Sequence, residues 1–271
     1  MSKATPTVGA MELTMVHFTR NIRVMLRDSA VVVNTLVVPA MSFIVMRVLF
    51  GELMSTAQGV GTLDVLPLTV MLIINSQMIS AQASAAYALR ERQRGMPARI
   101  ATTTGGITPM LLGRFLGDLA RSIASGITVI IAAFILGMRI HTLSAGLWLA
   151  AVLIVGSLFG SAAAMFIASV GTTPESAMIA TPLLMVVSFL NAGMVPAERF
   201  VAAVRPFAEL NPLTFMVKAA LAFDNTRTAE VLGITDGGHY ALIASTTVLG
   251  LTAALIIGAM WFQRGGRRVM A

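Results

Sequence analysis

Residues 147–169 read LWLAAVLIVGSLFGSAAAMFIAS. No charged side chain interrupts this run, and about 20 apolar residues in a helix match the hydrocarbon thickness of a bilayer. Small residues (Gly156, Ser157, Gly160, Ser161, Ala162 and Ala164) crowd its middle, and the Gly156 to Gly160 spacing permits close contact between helices. Runs of similar character recur from Ala30 to Phe262, at 30–50, 65–89, 115–138, 174–195 and 240–262. The pattern predicts an all-α membrane protein: six transmembrane helices in a single membrane domain, 1–271.

Composition agrees with that reading. The 271 residues are 56% hydrophobic and only 11% charged, whereas a soluble domain carries about a quarter of its residues as charge; the mean hydropathy is +0.84. Cysteine is absent, so there is no disulfide, thiolate metal site or cysteine nucleophile to consider. The formal charge of +7 is almost wholly arginine, with lysine only at Lys3 and Lys218. Nucleic acid, anionic lipid or membrane topology each accounts for such a charge, and its placement decides among them.

Before the first run, Met1 to Asp28 interleaves Leu13, Val16, Ile22, Val24 and Leu26 with His17, Arg20, Arg23 and Arg27. This is too polar for a cleaved signal peptide. It suits a short amphipathic helix on the cytoplasmic surface, a disordered tail being the alternative. Arg47 lies close enough to the end of the first run to reach the interface. After the second run, Arg90 to Thr108 is dense in arginine and broken by Gly95, Pro97, Gly105 and Gly106. Thr108 and Pro109 then make a helix start, a cap followed by proline at the first helical position. Arg114, Asp118 and Arg121 are spaced for mutual pairing on the first turns of that helix.

Thr173, Pro174 and Glu175 repeat the cap-and-proline pattern and open the fifth run, which Pro182 interrupts. From Pro196 to Gly238 the apolar stretches are too short to cross, predicting short re-entrant helices between spans five and six. Trp261, Arg264, Arg267 and Arg268 read as the interfacial close of the sixth span. Alternating sides along this pattern gathers 13 cations on the side of both termini and 6 on the other. By the positive-inside bias both termini are cytoplasmic, and topology accounts for the charge without a nucleic-acid partner.

The chemistry-bearing residue types are sparse. His17, His141 and His239 lie at or beyond span boundaries with no zinc-binding spacing, and no G-x-x-x-x-G-K-[ST] phosphate loop occurs. Neither a catalytic residue nor a metal ligand is expected, and any energy from ATP comes from another subunit. No acid falls mid-span, as a proton-coupled pump requires. Neutral polarity is concentrated instead in the second span: Ser76, Gln77, Ser80 and Ser84 share one helical stripe, Asn75 and Gln82 another. Such stripes either bond neighbouring helices or line a path for an amphiphile. Met41, Met71, Met78, Met185 and Met194 are read as packing, a promiscuous surface being the alternative. The segment from Arg90 to Ile100 is either a solvated loop or a surface for a protein partner.

The succession of short motifs resembles the permease subunit of type-2 ABC exporters, most closely the daunorubicin-resistance class. The resemblance rests on Glu91-Arg92-x-x-Gly95 with Arg99, on Thr108-Pro109 with Gly113 and Asp118, and on Asn191-Ala192-Gly193-Met194-Val195-Pro196 running through Pro206 to Glu209-Leu210-Asn211-Pro212-Leu213-Thr214. It differs where Met96, Pro97 and Ala98 follow the loop glycine, since many members carry Thr and an acid there. The resemblance implies a coupling helix within Arg90 to Thr103, with Arg90, Glu91, Arg92, Arg94, Gly95, Met96, Pro97 and Arg99 facing a separate ATPase. It implies a re-entrant region containing Gly193, Pro196, Asn211 and Pro212. ATP and magnesium would sit on ABC ATPase subunits and no cofactor on this chain; a second permease, identical or similar, and membrane lipids would complete the assembly in a bacterial cell membrane. The cargo expected is amphipathic drugs or lipids, with Asn75, Gln77, Ser80, Gln82, Ser188 and Asn191 as candidate path residues. The rival reading is an ATP-independent secondary transporter or a structural membrane subunit.

Overall fold

The computed structural model describes residues 9–58, 64–102, 106–179, 186–193 and 195–268. Lys3, Thr103, Pro182, Met185 and Met194 lie outside them, as do the side chains of Arg264, Arg267 and Arg268. Among the described residues the secondary structure is helical, with no strand. Among these residues five helical stretches are long and apolar enough to span a membrane: Ser29–Glu52, Val65–Gln93, Thr108–Ile135, Leu143–Val170 and Gly237–Phe262.

Helix α1, Ala10–Arg27, precedes the first of these. Asp28 then breaks the helix and starts the next, its Oδ1 accepting a hydrogen bond from the Ala30 amide at 3.0 Å. The first span is α2 (Ser29–Val32), a π-helical turn (Val33–Val37) and α3 (Val38–Gln58). The wide turn has a local cause. Pro39 has no amide to donate and its ring crowds the carbonyl four residues back, and the widened turn absorbs both, with the Val38 amide bonded five residues back to Val33.

Asp64 starts α4 (Val65–Gln93) by accepting from the Leu66 amide at 3.0 Å. A short α5 (Met96–Ala101) follows, then α6 (Thr108–Ile135) and α7 (Leu143–Val170). The expected cap at Thr108 is displaced: Thr108 is already helical, Ile107 holds the cap position, and among the described residues no side chain caps it. Gly137, at φ 96°, lets the chain leave α6. Thr142 caps α7 through the Ala145 amide.

Helix α4 is the axis of the bundle. Its side chains are enclosed along nearly the whole length by α6, α7 and the later helix Pro212–Asp224, and Leu68, Val70, Met71 and Ile73 join Val129, Val152 and Leu221 in the core. The small residues of the fourth span are the contact: a Cβ at Gly156 would lie 2.2 Å from Gln77 Oε1 and 2.5 Å from Ile74 Cδ1. The first span and the last helix, by contrast, turn apolar side chains outward, among them Val37, Val48 and Leu49 and then Leu242, Ile257 and Trp261. Such surface costs little against lipid.

Between α7 and the last helix lie a 3-10 turn (Pro174–Met178) capped by Thr173, a second one (Ala197–Arg199), α8 (Arg205–Leu210), α9 (Pro212–Asp224) and α10 (Arg227–Val231); α11 is Gly237–Arg268. The expected fifth span, 174–195, contains residues 180–185 and Met194, outside the described set; its described parts are the Pro174–Met178 turn and a helical turn at 186–189. Helix α9 has 13 residues, about 20 Å at 1.5 Å per residue, too short for a core of about 30 Å. It nevertheless packs inward against α11, α4 and α7, and the Trp148 indole donates to the Met216 carbonyl at 3.0 Å.

Candidate functional site

At the end where α4 finishes, three helices meet on one carboxylate. Glu91 is only 6% exposed. One of its oxygens accepts from the Arg20 guanidinium of α1, and the other from Arg114 of α6 at 2.6 Å. Arg20 also reaches the Met96 sulfur at 3.3 Å, which ties in the first residue of α5. Arg114 therefore makes its ion pair across helices; of the mutual pairing expected among Arg114, Asp118 and Arg121 an electrostatic attraction of both arginines for Asp118 remains, and Asp118 also accepts from the Ser84 hydroxyl of α4. Glycines bring α1 this close to α6. A Cβ at Gly113 would lie 2.6 Å from the His17 Cβ, and one at Gly117 would lie 2.8 Å from that of Asn21. Burial against α6, reinforced by repulsion from Arg20 and partly offset by Glu91, holds the His17 pKa below its ordinary value.

Beyond Glu91 the loop projects. Gly95 adopts the left-handed conformation at φ 71°, which turns the chain out of α4 and into α5, where Pro97 suits the first turn. Arg90, Arg92, Arg94 and Arg99 are exposed, and Met96 and Pro97 are half-buried. The eight candidate coupling residues thus divide: Glu91 faces inward as the tie, and the arginines face outward on a turn that this tie holds.

The candidate path residues are dispersed. Asn75, Gln77, Ser80 and Gln82 are buried on α4. Gln77 lies in the seam with α7, its Nε2 donating to the Leu153 carbonyl and the Ser157 hydroxyl, both at 2.9 Å. Gln77 Oε1 and Ser80 Oγ are buried with no hydrogen-bond partner among the described residues. Ser188 instead lines a cavity of about 170 Å³ with Asn211, Ile74, Met78, Phe159 and Met216.

The two motif stretches of the re-entrant region bind one another. Asn211 caps α9 through the Leu213 amide, and its Nδ2 donates to the Val187 and Leu190 carbonyls, each at 2.7 Å. The Asn191 Oδ1 accepts from the Gly193 amide at 2.8 Å, and the Ala192 amide donates to the Thr214 hydroxyl at 3.0 Å. Gly193 permits the approach, since a Cβ there would fall 2.7 Å from the Val217 Cβ. Pro212 opens α9, and Pro196 precedes the Ala197–Arg199 turn.

Sequence reasoning missed Arg20, Arg114 and Thr214 as partners in these sites. Nothing local marks the first two, because Arg20 and Glu91 are 71 positions apart and Arg114 and Glu91 are 23 apart, on separate helices. It also missed a cavity of about 680 Å³ at the opposite end, lined by Asp64, Arg139, His141, Asp224 and Arg227, where buried Asp224 accepts from the His141 amide at 2.6 Å. Among the described residues no group of three or more His, Asp or Glu side chains converges as a metal site would require.

No curated protein matches the chain. The family model described as ABC-2 type transporter matches residues 12–223, a stretch that contains the Glu91 junction, the projecting turn and the bonded re-entrant motifs. The chain is a membrane protein of the ABC-2 type transporter family.

Proposed function

We propose that this permease subunit forms the membrane pathway of an ATP-driven exporter of the daunorubicin-resistance class, which moves amphipathic drugs or lipids out of the cytoplasm or inner leaflet of a bacterial cell membrane. The observation that carries the reading is the exposed arginine turn, Arg90 to Arg99, mounted on the most enclosed helix of the bundle. Family membership implies ABC ATPase partners, and ATP with its magnesium belongs to them. The arginine-rich end faces the cytoplasm in this reading, with both termini.

Closure of the ATPases presses on α5, and Glu91 passes the displacement to α1 and α6 together. A partner that binds the displaced arrangement more tightly biases a two-state assembly. The outward faces of the first span and α11 leave room for a second permease, identical or similar. Amphipathic cargo is supported by the largely apolar cavity beside Ser188 and Asn211, with Asn75, Gln77, Ser80, Gln82 and Asn191 as the neutral polar groups that rearrangement would expose.

The test is the triple variant R92Q/R94Q/R99Q, co-expressed with its ATPase and reconstituted in vesicles. Membrane insertion should be retained, while co-purification of the ATPase and ATP-dependent movement of a fluorescent amphiphile both fall by at least tenfold. Transport equal to wild type, or movement independent of ATP, overturns the proposal.

A further inference from the structure

Helix α1 has three different faces: one packs against α6, and of the other two only Arg20 makes a side-chain tertiary contact among the described residues. Thr14, His17 and Asn21 lie against α6, where Asn21 Nδ2 donates to the Gly113 carbonyl at 3.3 Å, and Met25 is buried on the same side of the helix. On the next face, Met11 is 79% exposed and Leu26 is 68% exposed, with Met15 between them. The third face carries Arg20, Arg23 and Arg27, which at 100° per residue fall within about 60° of one another. These guanidiniums line a recess of about 590 Å³ with Val24, Asp28 and Ser29.

Position and charge define what the recess takes. Ser29 is the first residue of the first membrane span, so the recess opens where hydrocarbon gives way to headgroups. Among the described residues no carboxylate pairs with Arg23 or Arg27, and the Asp28 Oδ1 is turned to the Ala30 amide. Below it the span shows Val33, Leu36 and Val37 to the outside. An apolar face beside a basic face, on a helix joined directly to a span, fits a lipid surface rather than water on both sides.

We infer that this recess is a binding site for the phosphate headgroup of an anionic phospholipid, held by Arg23 and Arg27, with its acyl chains along the exposed face of the first span. Arg20 belongs both to the recess and to the Glu91 junction. An occupied recess therefore places its negative charge beside the tie that steadies α4 and α5. The inference stands apart from the export reading, because it requires only that this end of the bundle meet a membrane surface.

Native mass spectrometry of the detergent-solubilised full chain, titrated with phosphatidylglycerol and separately with phosphatidylcholine, tests it. Wild type should retain phosphatidylglycerol about tenfold to thirtyfold more tightly, the range expected when two arginines face one anionic surface. R23Q/R27Q, altered at two exposed positions that make no ion pair among the described residues, should melt like wild type and lose that preference. R139Q/R227Q, which removes equal charge at the opposite end, should keep it, and inorganic phosphate at the lipid concentration should not displace the lipid. Equal retention of both lipids, an unchanged preference in R23Q/R27Q, or an equal loss in R139Q/R227Q overturns the site, and displacement by inorganic phosphate overturns its assignment to lipid. So does loss of ATPase co-purification in R23Q/R27Q with lipid preference intact, which would give the surface to a protein partner.

Discussion

Replacing Glu91 by glutamine keeps the shape of the side chain and removes its charge. In the native junction both carboxylate oxygens accept from guanidiniums. Glutamine offers one oxygen and turns an N–H2 group toward the other arginine, so one contact becomes donor against donor. Breaking a buried ion pair costs about 3–5 kcal/mol, an exposed one below about 1 kcal/mol. Here the Arg114 side chain is 12% exposed and that of Arg20 is 31% exposed, so the first contact lies near the buried regime and the second near the surface one. The expected loss is about 2–4 kcal/mol, or about 5–12 °C in melting temperature for a chain of this size. Intrinsic fluorescence of Trp148 and Trp261 during heating in detergent reads it. R92Q, at an exposed neighbouring position, should melt like wild type. E91Q/R114Q should lose less than the sum of the single variants, since the two residues share one interaction. A wild-type melting temperature for E91Q would refute the junction and return Glu91 to the outward docking surface.

Gly156→Val should destabilise the chain by about 1–3 kcal/mol or more through overpacking, because its Cβ would enter the space of Gln77 Oε1 and Ile74. Gly146→Ala, whose nearest neighbour would be Ile140 at 4.0 Å, should be neutral or slightly stabilising; the same melting assay compares them. Asn211→Asp keeps the cap on α9 but sets a carboxylate against the Val187 and Leu190 carbonyls. It should lower the melting temperature at least as much as Asn211→Ala, and a milder effect than alanine would show that the cap alone matters.

The spans at 147–169 and 65–89 were legible because a bilayer requires each crossing segment to satisfy its own backbone over about 20 apolar residues, which makes a span a local property of the chain. Helix α9 was legible as a segment too short to cross, and the crowding of small residues at 156–164 was legible as close packing. The roles of individual polar residues were not. Glu91 reads the same whether it faces a partner or its own bundle; the packing of α6 against α4 brings Arg114 onto it, and the approach of α1 to α6 over Gly113 and Gly117 brings Arg20. Gln77 likewise suits a path or a seam, and the register of α7 against α4 puts its amide between Leu153 and Ser157.

What the sequence determined by itself is therefore the all-α membrane class, the long apolar helices and the crowding of arginine beside the termini and the loop after the second span. Each follows from hydropathy, helix period and charge along a few tens of residues. Which side chain meets which between separate helices, across 23 positions for Arg114 and Glu91 and 71 for Arg20 and Glu91, and so which arginines are spent inside the bundle and which remain on its surface, was decided only by tertiary packing. The physical reason is that these contacts depend on close approaches between helices that no local window contains.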